Sequence, residues 1–420
     1  MHEFVIKNGR VIDPARHFNQ VADAYVADGR IFTIGKPPEG SGRWQVVDAT
    51  GCIVTPGLID LHVHAYEHAT PLGVNVDRMC LARGVTTVVD AGSAGSSTFP
   101  GLRKFISERS KTRVFSFLHI AQHGLASAGC VMKDSGGECD SLNAVQVDDC
   151  VRVINENRDM IVGVKVRLGI PITNNGLNEV EVYRRALQAA STCKVPLMVH
   201  HSLSTIQHGN SGQLSCPGDL GPGDIYTHCF HGHSGSILDP TGAIDESCMA
   251  AKKRGVLFDV GHGQGSFMWS VAERCVAQGF LPDTISTDLH TGDHQGPAYD
   301  LPCVMTKLLH VGMSLEDVVA AVTATPAKAI GKQNEMGSLG VGMPADITIL
   351  KLEDVCEHLE DCAGELRTIQ KAFSPVAVYV GGEEHPVSAG RSWPNSASAQ
   401  ICQARMAKMT VDSKSLNDNK

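Results

Sequence analysis

No apolar run in these 420 residues approaches the roughly 18 needed to cross a bilayer, so nothing here argues for a membrane span. The first residues, "MHEFVIKNGR", lack the apolar segment and small-residue cleavage site of a secretory leader, and a cytoplasmic location is the expectation. There is no long Lys/Arg block either. With a net charge of −9 the electrostatic footprint of a nucleic-acid binder is missing, so the expected partner is a small-molecule substrate, with neither nucleic acid nor membrane. Among the 14 cysteines no CxxC pair occurs, which points to reduced, structural thiols rather than a disulfide framework or a zinc ribbon.

What is present changes texture at residue 56. Before it, "EFVIKNGRVID", "DAYVADGRIFTIG" and "WQVVDATGCIVTP" read as short strands, with Asn8-Gly9 and Asp28-Gly29 as hairpin signals. After it, short apolar runs alternate with helical patterns, the mark of repeated βα units. Eight runs occur, "LIDLHVH", "VTTVVDAG", "VFSFLHIA", "IVGVKVRLG", "PLMVHHS", "IYTHCFHG", "VLFDVGHG" and "TISTDLH", the number that closes a (β/α)8 TIM-type barrel. Between the fourth and fifth, "NEVEVYRRALQAA" reads as a helix capped by Asn178 with Val180, Tyr183, Leu187 and Ala190 on one stripe. Near the end, "GSLGVGMPADITILKLED" and "KAFSPVAVYVGGEEH" return to strand-like alternation. The expected α/β architecture is therefore a barrel over 56–334, a small β-sandwich domain built from 1–55 and 335–387, and a C-terminal surface helix and tail over 388–420. Residues 122–142 form a long glycine-rich loop where such barrels shape their pockets.

The polar exceptions in these apolar runs carry the chemistry. In "PGLIDLHVHAY" strand alternation places Asp60, His62 and His64 on one face, with Leu61 and Val63 on the other. Two adjacent imidazoles suit a metal ion better than a core. Lys165 follows from the fourth run, His200 or His201 from the fifth, His228 from the sixth and Asp288 from the eighth, all towards the carboxyl ends where barrel active sites are built. Imidazoles and carboxylates are the ligands of a hydrolytic Zn²⁺-type site. Lys165 lies between Val164 and Val166, and burying an unpaired ammonium costs several kcal/mol or forces its deprotonation. A free amine reacts with carbon dioxide to give a carbamate, an anionic two-oxygen bridge between metals.

With these runs, "NGRVID", "ADGRIFTIG", "ATPAKAIG" and "GSLGVGMPADITIL" included, the chain resembles the amidohydrolase superfamily, in its dihydroorotase and hydantoinase branch. The resemblance implies two divalent metal ions, zinc or manganese. It implies that His62 and His64 bind one metal, a carboxylated Lys165 bridges, His200 and His228 bind the second, and Asp288 binds the first while moving protons. It also selects His200 over His201, which parity alone does not, and implies a homo-oligomer and hydrolysis by a metal-bridged hydroxide.

One departure bears on the substrate. Dihydroorotases usually carry an arginine two positions after the paired histidines as a carboxylate clamp. Tyr66 stands there. Arg167, on the face of Lys165, is the candidate replacement, and His262 in "VGHGQGSF" and His290 in "STDLH" are further candidate substrate contacts. The bridging Lys165 and the lack of HxxE at "MVHHS" or "THCFHG" argue against a mononuclear deaminase. The expected activity is cleavage of an ester or amide bond of a small acylated hydroxy or amino acid, with a cyclic amidohydrolase of the dihydroorotase or hydantoinase type as the alternative.

Overall fold

A computed structural model describes residues 3–128, 136–209 and 213–394. Part of the 122–142 loop and the expected helix and tail beyond residue 394 lie outside the described residues. The chain opens with seven short strands, β1 (Glu3–Lys7), β2 (Arg10–Asp13), β3 (Phe18–Val21), β4 (Ala24–Ala27), β5 (Arg30–Ile34), β6 (Gln45–Asp48) and β7 (Ile53–Pro56). Asp28 adopts positive φ at the turn of the β4–β5 hairpin. Asn8 does so too, but Asn8-Gly9 closes no hairpin: β1 pairs with β4 and β6, and β2 with β3 and β7, so the turn carries the chain from one sheet to another.

Seven parallel strands follow: β8 (Leu58–Val63), β9 (Val85–Gly95), β10 (Arg113–His119), β11 (Ile161–Leu168), β12 (Leu197–His201), β13 (Ile225–Thr227) and β14 (Leu257–Phe258), in sequential order in one sheet. The eighth run forms no regular strand. It makes parallel bridges at both edges of the sheet instead, Thr284 to Asp259 and Leu289 to Val63. The sixth and eighth runs are cut short for a local reason: His228 and Asp288 adopt φ of 66° and 51°, where non-glycine residues are uncommon and an extended ladder cannot continue.

Two apolar clusters separate the faces of this sheet. Ile59, Leu61, Val89, Ala91, Phe117, Val162, Met198 and Ile225 form one, drawing on six neighbouring strands. Leu58, Val63, Val164, Val166, Leu197 and Val199 belong to the other, together with Val182, Tyr183 and Ala186 of the Glu179–Cys193 helix. Strict alternation therefore fails in β8. Leu61 and Val63 lie on different faces, because the register against β9 shifts between Asp60 and Val63.

That helix departs from expectation twice. Asn178 precedes it but makes no side-chain cap; its amide donates to the carbonyls of Cys139 and Asp140, pinning the preceding loop. The buried stripe is Val182, Tyr183, Ala186, Ala189, Ala190 and Cys193, while Val180 stays 46% exposed.

The last strands among the described residues are β15 (Ile347–Glu360), β16 (Leu366–Val380) and β17 (Glu383–His385). These join β7, β2 and β3 in a six-stranded sheet, beside a four-stranded sheet ordered β5-β4-β1-β6. Phe4, Ile6, Val26, Val54, Ile347, Ile349 and Tyr379, from both sheets, share one apolar cluster. The hairpin of β15 and β16 outgrows that cluster: Leu359, Ile369, Ala372 and Phe373 join the core of the parallel sheet and its helices. Phe373→Ala should cost about 3–5 kcal/mol. A thermal midpoint several degrees below that of the wild-type chain is the expected result, whereas an unchanged midpoint would make the distal hairpin an appendage.

Candidate metal centre

At the carboxyl ends of the parallel strands lies a cavity of about 170 Å³ lined by His62, His64, Lys165, Arg167, His200, His228, Asp288 and His290, with Leu72, Gln264, Gly265 and Ser266. All six expected metal ligands meet there. Nε2 of His62 and of His64 lie 3.1 and 2.9 Å from Oδ1 of Asp288, Nε2 of His228 lies 4.0 Å from its Oδ2, and the rings of His200 and His228 are 4.5 Å apart. Lys165 Nζ is 3.2 Å from Nε2 of His62. In β12 it is His200 that shares the face of Met198; His201 points the other way, with Nδ1 3.1 Å from the Tyr226 hydroxyl.

Surrounding hydrogen bonds decide where each ring nitrogen keeps its lone pair. Thr227 donates its hydroxyl hydrogen to Asp259, so Nδ1 of His62, 2.9 Å from the same oxygen, must be the donor there, and Nε2 is left as a lone pair. Nδ1 of His228 donates to the Gly261 carbonyl at 2.6 Å, with the same consequence. Two lone pairs therefore face the carboxylate of Asp288. Oδ1 of Asp288 is buried and has no hydrogen-bond partner. The lone pair of a neutral His62 held against this orphaned oxygen is repelled by it unless a cation lies between them, and the ligand atoms of His62, His64 and Asp288 fall within 4.8 Å of one another. The residues fit a divalent metal ion.

The carboxylates favour positive charge at His62, whereas burial disfavours it at Lys165 and His228. Burial and Lys165 disfavour a charged His62, yet Asp288 and Asp259 outweigh them and raise its pKa. Burial pushes Lys165 down to about 7 and His228 down to about 3. Gly92, at φ +89°, lies against Lys165: a Cβ there would stand 2.7 Å from the lysine Cγ.

The substrate contacts divide. Arg167 and His290 line the cavity. The Gly292 amide donates to Nδ1 of His290, so the neutral ring carries its proton on Nε2. Tyr66 is not brought to the cavity; it belongs to the helix-side core and its hydroxyl donates to the Thr98 carbonyl. Nor is His262, whose buried ring stacks on Phe267 and whose Nε2 lies 2.8 Å from the buried amine of Lys307. Its neighbours Gln264, Gly265 and Ser266 reach the cavity instead.

Two matching sets of neighbours identify the fold and family. A structure described as a dihydroorotase superposes with a TM-score of 0.82 at 32% identity, covering 93% of this chain and 100% of the other. One described as an adenine deaminase gives 0.82 at 28%, covering 92% and 100%. An Agrobacterium fabrum protein named a deacetylase is 35% identical over 370 residues, 88% of this chain and 87% of its own. The amidohydrolase family model matches residues 268–384. The chain belongs to the amidohydrolase family. It is a hydrolase of the dihydroorotase-like branch, and as a metal-dependent amidohydrolase it has a donor set that its own geometry supplies.

Glu138, from the partly described loop, and His119 were not among the expected site residues. Glu138 is fully enclosed, accepts from Arg167 at 3.0 Å, and lies 3.7 Å from Nε2 of His119. Burial alone would raise its carboxyl, but Arg167 and His119 bring it down to about 2. A carboxylate lowered on folding stabilises the native state above its unfolded value near 4.3, and that contribution disappears as pH falls towards 2. Glu138→Gln should therefore destabilise the protein by about 3 kcal/mol at pH 7. The gap in thermal midpoint between the two proteins should narrow as pH falls from 5, and a gap independent of pH would mean that the pair contributes packing alone.

Proposed function

We propose that the protein hydrolyses the ester or amide bond of a small N- or O-acylated amino or hydroxy acid. The observation that carries this reading is the cavity itself: a small space of about 170 Å³ whose wall holds one guanidinium, Arg167, together with the candidate metal-ligand set. A short acyl group and one carboxylate fill such a space. The relative named a deacetylase supports an acetyl-sized leaving acid.

In this reading residues 56–334 are the catalytic (β/α)8 barrel, and 1–55 with 335–387 are a supporting β-sandwich. His62, His64 and Asp288 would hold one divalent ion, zinc or manganese, and His200 and His228 a second, with a carboxylated Lys165 available to both. When bound, such ions polarise a carbonyl and lower the pKa of water towards neutrality. Lys165 is suited to its part because its amine is enclosed, beside His62, with no carboxylate paired to it at ion-pair distance among the described residues. Its neutral amine attacks carbon dioxide, one N–H proton leaves to solvent, and the carbamate carries one negative charge.

Asp288 accepts the proton lost by the attacking water and delivers it to the departing alcohol or amine, a transfer its central place among the ligands makes short. Arg167 holds the substrate carboxylate, and Glu138 behind it fixes the direction of the guanidinium. His290 presents Nε2–H to a second substrate oxygen. The backbone of Gln264 to Ser266 closes one side.

Ring opening of a cyclic amide is the second reading, favoured by the likeness to a structure described as a dihydroorotase. Initial rates on matched panels separate the two: acyclic acyl-amino and acyl-hydroxy acids in both enantiomers, against cyclic amides including dihydroorotate. Turnover confined to the acyclic panel is the expected outcome, and turnover of the cyclic panel alone would replace the first reading by the second. Asp288→Asn should lower kcat by about 10²–10⁴. Lys165→Ala should bind fewer metal equivalents, and bicarbonate should raise activity of the wild-type enzyme but not of this variant; an equal response in both would remove the carbamate from the scheme.

A further inference from the structure

Outside the catalytic cavity the loop after β12 and the start of the Glu246–Arg254 helix bring three different donors together. Nδ1 of His208 lies 3.9 Å from Sγ of Cys248 and 3.9 Å from Oδ2 of Asp245, and the three ligand atoms all fall within 4.8 Å of one another. None of the three lines the catalytic cavity. Asp245 caps the helix through Oδ1, which accepts from the Ser247 amide at 2.8 Å, and this leaves Oδ2 turned towards the histidine.

A chain of hydrogen bonds sets the tautomer of His208. His201 donates from Nε2 to the Ile206 carbonyl at 2.8 Å, so its Nδ1 accepts the Tyr226 hydroxyl hydrogen at 3.1 Å. The lone pair of that hydroxyl then faces Nε2 of His208 at 3.4 Å, and the proton of His208 belongs on Nε2. Its Nδ1 is a lone pair aimed at a carboxylate oxygen and a thiol. This is the arrangement in which a ligating histidine is held from behind by its other nitrogen.

We propose that His208, Asp245 and Cys248 form a second metal site, of zinc type and separate from the catalytic centre. A tetrahedral zinc ion with ordinary bond lengths needs its nitrogen, oxygen and sulfur ligands about 3.4–3.6 Å apart. The two separations from Nδ1 of His208, 3.9 Å each, close to that by about half an ångström or less, and the third pair lies within 4.8 Å. On binding, the Cys248 S–H bond breaks, the proton leaves to solvent and the sulfur–metal bond forms. One thiolate and one carboxylate then neutralise the ion in a half-buried place. His208 and Asp245 also line a second, open cavity of about 740 Å³, which supplies water to the fourth position. The ion ties the loop that follows His200 to the helix that follows the β13 loop. His233, in the wall of the same cavity, donates to the Gly265 carbonyl at 3.0 Å, so this support extends to the loop at the catalytic cavity.

Sulfur makes the site separately readable, since the catalytic donors are only nitrogen and oxygen. The full chain, stripped of metal and titrated with Co²⁺ until every site is filled, should develop a thiolate-to-cobalt charge-transfer band in the near ultraviolet with the final intensity of one thiolate bond per chain. Cys248→Ser should abolish the band and His208→Gln should weaken cobalt binding at this site at least tenfold, both with turnover of the acyl panel retained. X-ray absorption of the zinc-loaded wild-type enzyme adds a test that needs no variant: a sulfur scatterer at about 2.3 Å is expected. Absence of both the band and the sulfur scatterer in the wild-type chain, or a band that survives Cys248→Ser in a folded protein, overturns the assignment.

Discussion

Everything at the carboxyl end of the parallel sheet is arranged around one electrostatic constraint, a carboxylate oxygen with no proton donor. Oδ1 of Asp288 is enclosed, and the nearest polar atoms are the Nε2 atoms of His62 and His64. Leaving such an oxygen unpaired costs on the order of several kcal/mol. The surrounding residues do not relieve that cost with hydrogen bonds. His62 holds a further lone pair against it, which a bound cation satisfies, and the tautomers, the backbone and the neighbouring glycines all fit that one requirement.

The backbone carries part of that requirement. Asp288 and His228 sit in the left-handed region, at about 1–3 kcal/mol each for non-glycine residues, and both conformations interrupt strands that would otherwise continue. Asp60 secures the interrupted segment by accepting from the amide and the hydroxyl of Thr287. Asp259 does the same on the other side, gathering the hydroxyls of Thr227, Thr284 and Ser286. Two buried carboxylates outside the cavity thus fix a residue that lines it. Gly263, at φ +52°, completes the fit, since a Cβ there would stand 2.5 Å from the Asp288 oxygen.

Much of this was legible in the sequence because polar residues in apolar runs are costly and therefore informative. His62, His64, Lys165, His200, His228 and Asp288 stand out against their neighbours, and the structure collects them in one cavity. The misses have physical causes. Period-two reasoning assigned Leu61 to the wrong side because a register shift in β8 is invisible to alternation. Tyr66 and His262 looked available because a sequence shows polarity but not partners: a carbonyl takes the first and a buried lysine the second. Glu138 lay in a glycine-rich loop without periodicity, so nothing marked it as the partner of Arg167. Lys307 did carry a signal, a charge within the apolar "LPCVMTKLLH", of the same kind that singled out Lys165.

Lys307 also explains why the loop at the cavity depends on distant chain. Its amine reaches Nε2 of His262, the Pro297 carbonyl and the Glu360 carbonyl at 2.8, 2.9 and 2.5 Å, with the rings of Phe267 and Trp269 beside it. Those contacts join the 262–266 loop, the segment before the Leu301–His310 helix and the tip of the β15 and β16 hairpin. Asp361 and Cys362 at that tip bond to the backbone of Trp269 and Phe267 in turn. An ammonium has three hydrogens, and here all three are used to fasten segments that are far apart in sequence. The loop that borders the cavity is therefore positioned by the last strands of the fold rather than by the sheet that bears the metal ligands. The 261–266 segment thus links the two halves of the cavity: Gly261 and Gly263 lie against His228 and Asp288, while the same loop is fastened through Lys307 to the tip of the last hairpin.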